Sequence, residues 1–303
     1  MIFKRHICAF ILLLNGFLLI AQKDSSKVLL NKKKTFVIGG ISTIAVTHIG
    51  LNQLWYKDYP RSNFHFINDN QEWLQMDKLG HAFSSYYLGM MGIEAMKWAG
   101  YPRKKAIILG GLYGTFFQTP IEIQDGFSKQ WGASLGDVAA NSFGTALAIS
   151  QELLWSEQRI QLKYSYTPTS YAKKRPNILG NGITEEFLKD YNGQTYWLSA
   201  NVSSFMNKGN KVPKWLNLSF GYGADGMLGG EDNIWEDQTG NNYDYSSIER
   251  KRQFFFSPDV NFAKIKTKKK GLKALFIVLN AIKTPAPTLE MNKNGLRFHW
   301  LKF

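Results

Sequence analysis

The sequence predicts an α+β fold, in which a small bundle of about four apolar, membrane-type helices precedes a β-rich C-terminal region. Two observations support this fold class. Long runs of apolar and small residues fill the chain from residue 36 to 155, whereas apolar and polar residues alternate after residue 160. We therefore expect a signal peptide (residues 1–21), a helical membrane or membrane-associated domain (22–159) and a β-rich, envelope-facing region with one amphipathic helix (160–303).

The N-terminal segment is typical of an exported protein. A lysine, an arginine and a histidine at residues 4–6 precede an apolar run over residues 7–20. This layout predicts a cleaved secretory signal peptide. Leu19 is larger than the residue usual at the third position before the cut, so an uncleaved anchor is the alternative. The single cysteine, Cys8, lies inside the apolar run, so we expect neither a thiol nor a disulfide in the mature protein.

The charge balance narrows the choice of partner. The chain has 37 Lys and Arg against 23 Asp and Glu, which gives a formal net charge of +14. Removal of residues 1–21 takes away two basic residues, so 35 minus 23 leaves +12. A basic exported protein is suited to membrane lipid or an envelope polysaccharide, with another envelope protein as a further alternative. Nucleic acid is not an expected partner, because the basic residues form short scattered groups without a nucleic-acid-binding motif.

Four apolar runs predict helices that are long enough to span, or nearly span, a bilayer. They extend over residues 36–54, 79–98, 106–120 and 133–155. Small residues recur in them at helix-packing spacing, namely Gly89/Gly92, Gly110/Gly114 and Ala140/Gly144. Buried helices of a soluble domain would use the same residues, so that alternative stays open. Basic residues at both ends conflict with the positive-inside rule for four crossings, so the helices could instead lie at a membrane surface or in a periplasmic bundle. Both the inner and the outer membrane remain as alternative locations for the protein.

The C-terminal region contains five or six segments with the two-residue period of strands. They include residues 162–166, 196–202, 216–222, 254–262 and 296–303. Residues 223–247 predict a long surface loop, because they are acidic and rich in Gly and Asn. The last segment resembles the final strand of an outer-membrane barrel, but such barrels need at least about eight strands, so a small periplasmic sheet is favoured.

A basic amphipathic helix is predicted near the C-terminus. Within residues 271–283, apolar side chains form a stripe at helical spacing, with lysines around it. Such a helix is suited to a lipid surface. Docking of the stripe on the protein's own sheet is the favoured alternative, because apolar stripes usually belong to a core.

A set of polar side chains inside the apolar helical runs is the main candidate site. Its members are Asp77, His81, Glu122, Asp125, Asp137 and Asn141. Charges inside such segments are costly unless they are paired or hydrated, so these groups must be satisfied together or have a chemical role. Asp77 and His81 are four residues apart and share a helix face, where a carboxylate can orient an imidazole for acid/base chemistry.

Most members of the set also have a purely structural interpretation. Asp77 is a suitable N-cap for its helix, and Asp137 fits a capping-box variant with the serine three residues before it. The acidic pair at residues 122 and 125 follows a proline on a predicted turn, where it could bind a cation, share a proton or face solvent. His81 is the member for which no such interpretation is evident.

Other chemistries have weaker signals. One histidine with three acids could ligate a divalent metal ion, but the familiar zinc spacings are missing. The serines that follow His81 are not part of a nucleophile-elbow sequence. The sequence has no phosphate-binding glycine loop and no dinucleotide motif, so no cofactor is predicted. The remaining histidines, His48, His65 and His299, have no acidic partner at a useful spacing.

The ordered motif between residues 77 and 144 resembles a known family. It reads Asp77-Lys78-x-x-His81, a glycine-bearing helix, Glu122 and Asp125, then Gly132-x-Ser134-x-x-Asp137-x-x-x-Asn141-x-x-Gly144. This order resembles the domain of unknown function family 2279, predicted periplasmic lipoproteins of Gram-negative bacteria, and is similar to the helical core of the VanZ-like membrane proteins. The chain departs from the lipoprotein members by lacking a lipobox cysteine. The resemblance implies a compact helical unit in the cell envelope, with no agreed reaction.

Two hypotheses follow for the function. In the first, the chain is a non-enzymatic envelope protein, the six polar residues fix helix packing, and the β-rich region binds a partner. In the second, the chain is a membrane-associated enzyme that acts on a lipid-linked or cell-wall substrate. His81 would then be the acid/base, Asp77 would orient it, and Glu122 with Asp125 would bind a cation or the substrate. We favour the first, because buried polar groups more often serve structure.

Overall fold

The computed structural model of the protein describes residues 26–56, 59–237 and 239–303. The expected signal peptide and Cys8 lie outside the described residues. In the described part, seven α-helices and ten strands form an α+β architecture, and the larger sheets are antiparallel, as the sequence predicts. The chain divides into two compact units, one made of residues up to Ile67 with Ser84–Ser156, the other of Asn68–Phe83 with Glu157–Phe303.

The first unit, here called the helical unit, contains most of the long helices. The helices are α1 (Ser26–Leu51), α2 (Met76–Trp98), α3 (Arg103–Gly126) and α4 (Leu135–Leu154), and the first two turns of α2 belong to the second unit. A parallel strand pair, β1 (Phe66–Ile67) and β2 (Ala133–Ser134), joins the entry of the unit to the start of α4. The four predicted helices are confirmed, with α1 and α3 longer than their apolar runs.

Small residues let α2 and α3 approach closely. A Cβ atom on Gly89 would lie 2.9 Å from the carbonyl oxygen of Gly111, and one on Gly110 would lie 2.6 Å from the carbonyl oxygen of Gly92. These distances are shorter than ordinary contacts, so the backbones pack where only glycine fits. The helix-packing role predicted for these glycines is confirmed.

The expectation of four membrane-type helices is not supported. Among the described residues, only α1 is long and apolar enough to cross a membrane, over Leu29–Leu51, with a mean hydropathy of 1.3. Its side chains are not buried within the protein. The other three helices do not pass that test, and each carries an acidic residue of the candidate site: Asp77 on α2, Glu122 on α3 and Asp137 on α4. The length of the apolar runs therefore predicted more membrane-type helices than the structure contains in its described part.

The second unit, here called the sheet unit, is built on a six-stranded antiparallel sheet. In spatial order the strands are β10 (Gly295–Lys302), β9 (Ala286–Asn292), β8 (Lys251–Val260), β5 (Leu216–Asp225), β4 (Gln194–Asn201) and β3 (Ile160–Tyr166). A separate hairpin is formed by β6 (Ile234–Glu236) and β7 (Asn242–Asp244). The unit also contains the helices α5 (Pro176–Leu179), α6 (Ile183–Lys189) and α7 (Lys270–Leu279). Five of the six sheet strands coincide with the alternating segments, and β9 is the one that the sequence did not predict.

The segment 223–247 differs from the predicted surface loop. It begins inside β5, and it carries the β6–β7 hairpin. Met227 and Leu228 within it are fully buried. Asn233 stabilises this fold-back, since its side-chain amide donates to the carbonyl oxygens of Gly226 and Ile248 and its Oδ1 accepts from the backbone amide of Leu228. Most of the described residues between 231 and 247 are exposed, as the glycine- and asparagine-rich composition predicts, whereas Asn233 is buried and satisfies backbone groups.

Candidate functional site

A left-handed turn precedes the Asp77-x-x-x-His81 motif in the sheet unit. Trp73, Leu74 and Gln75 have φ angles of 48°, 49° and 67°. This conformation costs about 1–2 kcal/mol for each residue other than glycine. Three hydrogen bonds hold the turn: the Trp73 amide donates to the carbonyl oxygen of Gly230 (2.7 Å), Tyr222 Oη donates to that of Leu74 (2.5 Å), and Arg252 donates to Gln75 Oε1 (2.9 Å). The surrounding structure therefore fixes where α2 begins.

Asp77 and His81 lie together on the first turns of α2. His81 Nε2 is 3.8 Å from Asp77 Oδ1, and Tyr191 Oη donates a 2.9 Å hydrogen bond to the same carboxylate oxygen. Asp77 lies within the first turn of the helix, so its interpretation as the N-cap is replaced by a role as acceptor and ion-pair partner. Burial disfavours its charge, but His81, Lys78 and the Tyr191 hydrogen bond outweigh burial and hold the pKa of Asp77 below its ordinary value.

Further charged groups surround this carboxylate. Lys78 Nζ lies 2.7 Å from Asp69 Oδ2 and 3.3 Å from Asp77 Oδ2, so one ammonium links two acids. Burial raises the pKa of Glu72, and the neighbouring charges of Asp69 and Asp77 raise it further. The arrangement can hold an imidazole in a fixed orientation, and it can accept a cation.

In the helical unit, Glu122 and Asp137 meet at Ser134. The amide of Ser134 donates to Glu122 Oε2 at 3.3 Å, and Ser134 Oγ accepts from the amide of Asp137 at 3.1 Å. Ser134 is therefore the N-cap of α4, as its spacing from Asp137 predicts. Both acids are buried, and the β1–β2 pair holds Ser134 opposite Ile67.

One turn further along α4, Asn141 continues the polar interior of the helical unit. Its Oδ1 accepts a 3.0 Å hydrogen bond from Ser85 Oγ on α2. Thr115 on α3 and Thr145 on α4 are joined by a 2.9 Å hydrogen bond between their hydroxyls. Three helices are thereby linked through hydrogen-bonded side chains, all of which are buried or half-buried.

Asp125 is directed away from this group. It was predicted with Glu122 on a turn, but α3 continues through Pro120, so both acids are helical. Asp125 Oδ1 accepts a 2.7 Å hydrogen bond from Tyr56 Oη, and the Tyr56 ring packs edge-on against Trp131. The structure therefore separates the acidic pair: Glu122 binds at the start of α4, whereas Asp125 anchors an aromatic side chain.

The sequence did not predict some of the residue pairs that the structure brings together. Tyr191 is 114 residues from Asp77 along the chain, so no local spacing could pair them. His299 was expected to lack an acidic partner, but its Nε2 lies 2.6 Å from Glu290 Oε2. The β9–β10 hairpin brings them together, and the turn residues Asn292 to Gly295 with their flanking alternation could have indicated this register.

Comparison with known proteins bears on the segment that carries the candidate site. No curated protein and no solved structure matches the chain. The likeness to VanZ-like proteins is not tested by these comparisons and stays an expectation. Residues 65–152, which run from β1 to the last turn of α4, match the family described as predicted periplasmic lipoprotein (DUF2279), which confirms the resemblance drawn from the ordered motif and supports an exported, cell-envelope location.

Proposed function

We propose that the protein is a non-enzymatic cell-envelope protein that attaches to a membrane, and that its polar residues fix the packing of its helices. The observation that carries the proposal is the inverted distribution of side chains in the helical unit. Glu122, Asp137 and Asn141 are buried and take part in hydrogen bonds. Large apolar side chains of α3 and α4 are exposed instead, among them Phe116 (63%), Leu135 (70%), Phe143 (56%) and Leu154 (73%).

This distribution is unfavourable in water. Burial of a large apolar side chain is worth about 1.5–3 kcal/mol, and a soluble bundle gains that energy by turning such residues inward. Around a bundle in contact with lipid, the apolar residues face hydrocarbon, and the polar groups must be satisfied inside. The apolar helix α1, long enough to cross a membrane, is consistent with the same environment.

The six candidate residues divide between two structural tasks in this proposal. Glu122 links α3 to the start of α4 through Ser134, where the Asp137 amide is capped, Asn141 links α4 to α2 through Ser85, and Asp125 holds Tyr56. Asp77 and His81, with Tyr191, secure the first turn of α2 within the sheet unit. Membrane lipid is the proposed partner. An envelope polysaccharide or another envelope protein would be the alternative.

Replacement of a buried acid tests the structural role. Glu122→Gln removes the buried charge and replaces one of its two acceptor oxygens with an NH2 donor, and we expect several-fold less folded protein in the membrane fraction. The matched control is Glu94→Gln on α2, whose side chain is exposed and pairs with Lys97, and whose abundance should equal that of the wild type. Normal abundance of Glu122→Gln together with a lost envelope phenotype would contradict the proposal.

A second candidate function is a membrane-associated acid/base or metal-assisted enzyme on a lipid-linked or cell-wall substrate. The observation that favours it is the group formed by Asp77, His81 and Tyr191. A strained left-handed turn lies directly before Asp77 in the chain. Strain of this kind is concentrated at functional sites. His81→Ala separates the candidates: an enzyme would keep its abundance and lose its envelope phenotype, and a metal enzyme would also lose stoichiometric bound metal by elemental analysis. A structural His81 would lose abundance.

A further inference from the structure

The six-stranded sheet has a row of exposed apolar side chains on one face, next to Tyr196 and Tyr222, which pack against the core cluster that contains Met76. Leu198, Phe220, Phe256, Leu289 and Phe298 are paired in register across five strands. Their exposed fractions lie between 42% and 52%. Met291 and Trp300 add further exposed apolar surface on β9 and β10. The apolar ladder is thus continuous from β4 to the last strand.

The opposite face of the same sheet is buried, and beside Trp197 and Phe255 it carries many polar side chains. Ser199, Ser219 and Ser257 are in register on β4, β5 and β8, and all three are inaccessible to solvent. Beside them, Asp259 pairs with Lys163 at 2.7 Å and lies 3.9 Å from Lys283, again with no side-chain exposure. Polar interiors with apolar exteriors are the pattern of strands that face lipid. A sheet packed for water would place these two sets of residues the other way round.

The charge of the sheet unit indicates what covers the apolar face. Residues 265–282 carry five lysines and no acidic residue. Within this segment, the stripe residues Leu272, Leu275 and Ile282 are exposed, whereas Phe276 and Leu279 are half-buried, so the stripe of α7 is only partly covered by the protein. Exposed apolar groups next to a run of positive charge are complementary to an anionic lipid surface.

We propose that the ladder of Leu198, Phe220, Phe256, Leu289 and Phe298 inserts into the hydrocarbon of an anionic bilayer, with the lysine-rich segment 265–282 at its headgroups. This inference rests on the proposed membrane attachment and extends it to the sheet unit. It assigns to the β-rich region a lipid partner in place of a polysaccharide. The buried Lys163, Asp259 and Lys283 are the polar interior that such an exterior requires.

Site-specific labels test the position of the ladder in the full-length chain. With Cys8→Ser as background, an environment-sensitive fluorophore is attached at Phe298→Cys or Met291→Cys, both exposed positions, and at Ser247→Cys as the control on an exposed loop. The proteins are added to phosphatidylglycerol or phosphatidylcholine vesicles that contain acyl-chain nitroxide lipids. We expect quenching at positions 298 and 291 several-fold stronger than at 247, and stronger in phosphatidylglycerol. Near-ultraviolet circular dichroism confirms that each variant is folded.

The outcomes separate this inference from the proposed function. Protein that floats with the vesicles while the labels at 298 and 291 are quenched by aqueous iodide as readily as the label at 247 overturns the lipid-facing ladder and leaves membrane attachment intact. Protein that does not float overturns both. Cross-linking between two chains through position 298, without acyl-chain quenching, would assign the face to a second copy and also overturn the inference.

Discussion

The buried charges beneath the sheet predict an asymmetric response to mutation. Asp259 is the single carboxylate between two lysines, with Lys163 Nζ at 2.7 Å and Lys283 Nζ at 3.9 Å, and none of the three side chains is exposed. Ser199 Oγ also donates to Asp259 at 2.7 Å. Asp259→Asn keeps the size of the side chain but removes its charge, so two buried ammonium groups are left without a counter-ion.

The magnitude follows from the number of charges left unpaired. Removal of one partner from a buried ion pair typically costs about 3–5 kcal/mol, which is a large fraction of the roughly 5–15 kcal/mol by which a domain is stable. Lys283→Met leaves the Lys163 and Asp259 pair intact. It also keeps apolar contact with the Trp197 ring, whose centre lies 5.0 Å from Lys283 Nζ. We therefore expect Lys283→Met to change the unfolding free energy by less than about 1 kcal/mol, or to stabilise the protein.

Urea unfolding of the full chain in mild detergent, followed by tryptophan fluorescence and near-ultraviolet circular dichroism, measures both variants. Adding Lys163→Met to Asp259→Asn should restore part of the lost stability, because it removes one uncompensated charge. The reasoning would be refuted by an Asp259→Asn variant within about 1 kcal/mol of the wild type, or by a larger loss in Lys283→Met than in Asp259→Asn.

Three further predictions concern stability and packing. Gly92→Ala should destabilise the helical unit by about 2–4 kcal/mol in thermal unfolding, because its methyl group would clash with the Gly110 carbonyl, whereas Gly39→Ala on α1, where nothing lies within 4 Å, should be neutral or stabilising. Burial lowers the pKa of Lys283 from 10.5 to about 8. Between these values the unfolded chain binds more protons than the folded chain, so the unfolding free energy should rise from about pH 7.5 to 9.5, and Lys283→Met should flatten this rise; an equal slope in the variant would contradict the assignment. Tyr191→Phe removes the hydrogen bond to Asp77 and should cost about 1–2 kcal/mol at neutral pH, with a difference that narrows in acid as Asp77 becomes protonated; urea titrations at two pH values measure both quantities.

Local periodicity predicted much of the fold. The helices over residues 79–98 and 133–155 and the strands at 162–166 and 216–222 follow from patterns that depend on neighbours in the chain. The N-cap role of Ser134 was predictable for the same reason. Strand β9 was missed because Pro285, Pro287 and the lysine-rich segment before it indicate a break rather than a strand. Proline is tolerated at position 287 because this residue precedes the part of β9 that pairs with β8.

The candidate site depends on contacts that sequence does not specify. The left-handed turn at Trp73 to Gln75 contains no glycine or asparagine, so its conformation comes from tertiary hydrogen bonds. Tyr191 reaches Asp77 only through the fold of the sheet unit. Glu122 and Asp125 looked like one acidic pair by spacing, yet their partners are Ser134 and Tyr56 on different elements.

The apolar pattern of the sequence also did not predict which face of the sheet is exposed. Alternation along β5 and β8 predicted strands but not which face would be buried, because period two is the same for either choice. The structure buries the face that carries Ser219, Ser257 and Phe255, and it exposes Phe220 and Phe256 on the other face. The burial of polar residues, rather than the length of apolar runs, is therefore the property on which the proposed membrane attachment rests.

The central claim, that the apolar exterior of the protein faces lipid, is tested most directly in the helical unit. An environment-sensitive label at Phe143→Cys on α4, in a Cys8→Ser background, reports on an exposed apolar position, and Lys104→Cys at the start of α3 is the exposed polar control. In vesicles with acyl-chain nitroxide lipids, the label at 143 should be strongly quenched and protected from aqueous iodide, whereas the label at 104 should show the reverse. Equal iodide access at both positions in vesicle-bound, folded protein would contradict the account.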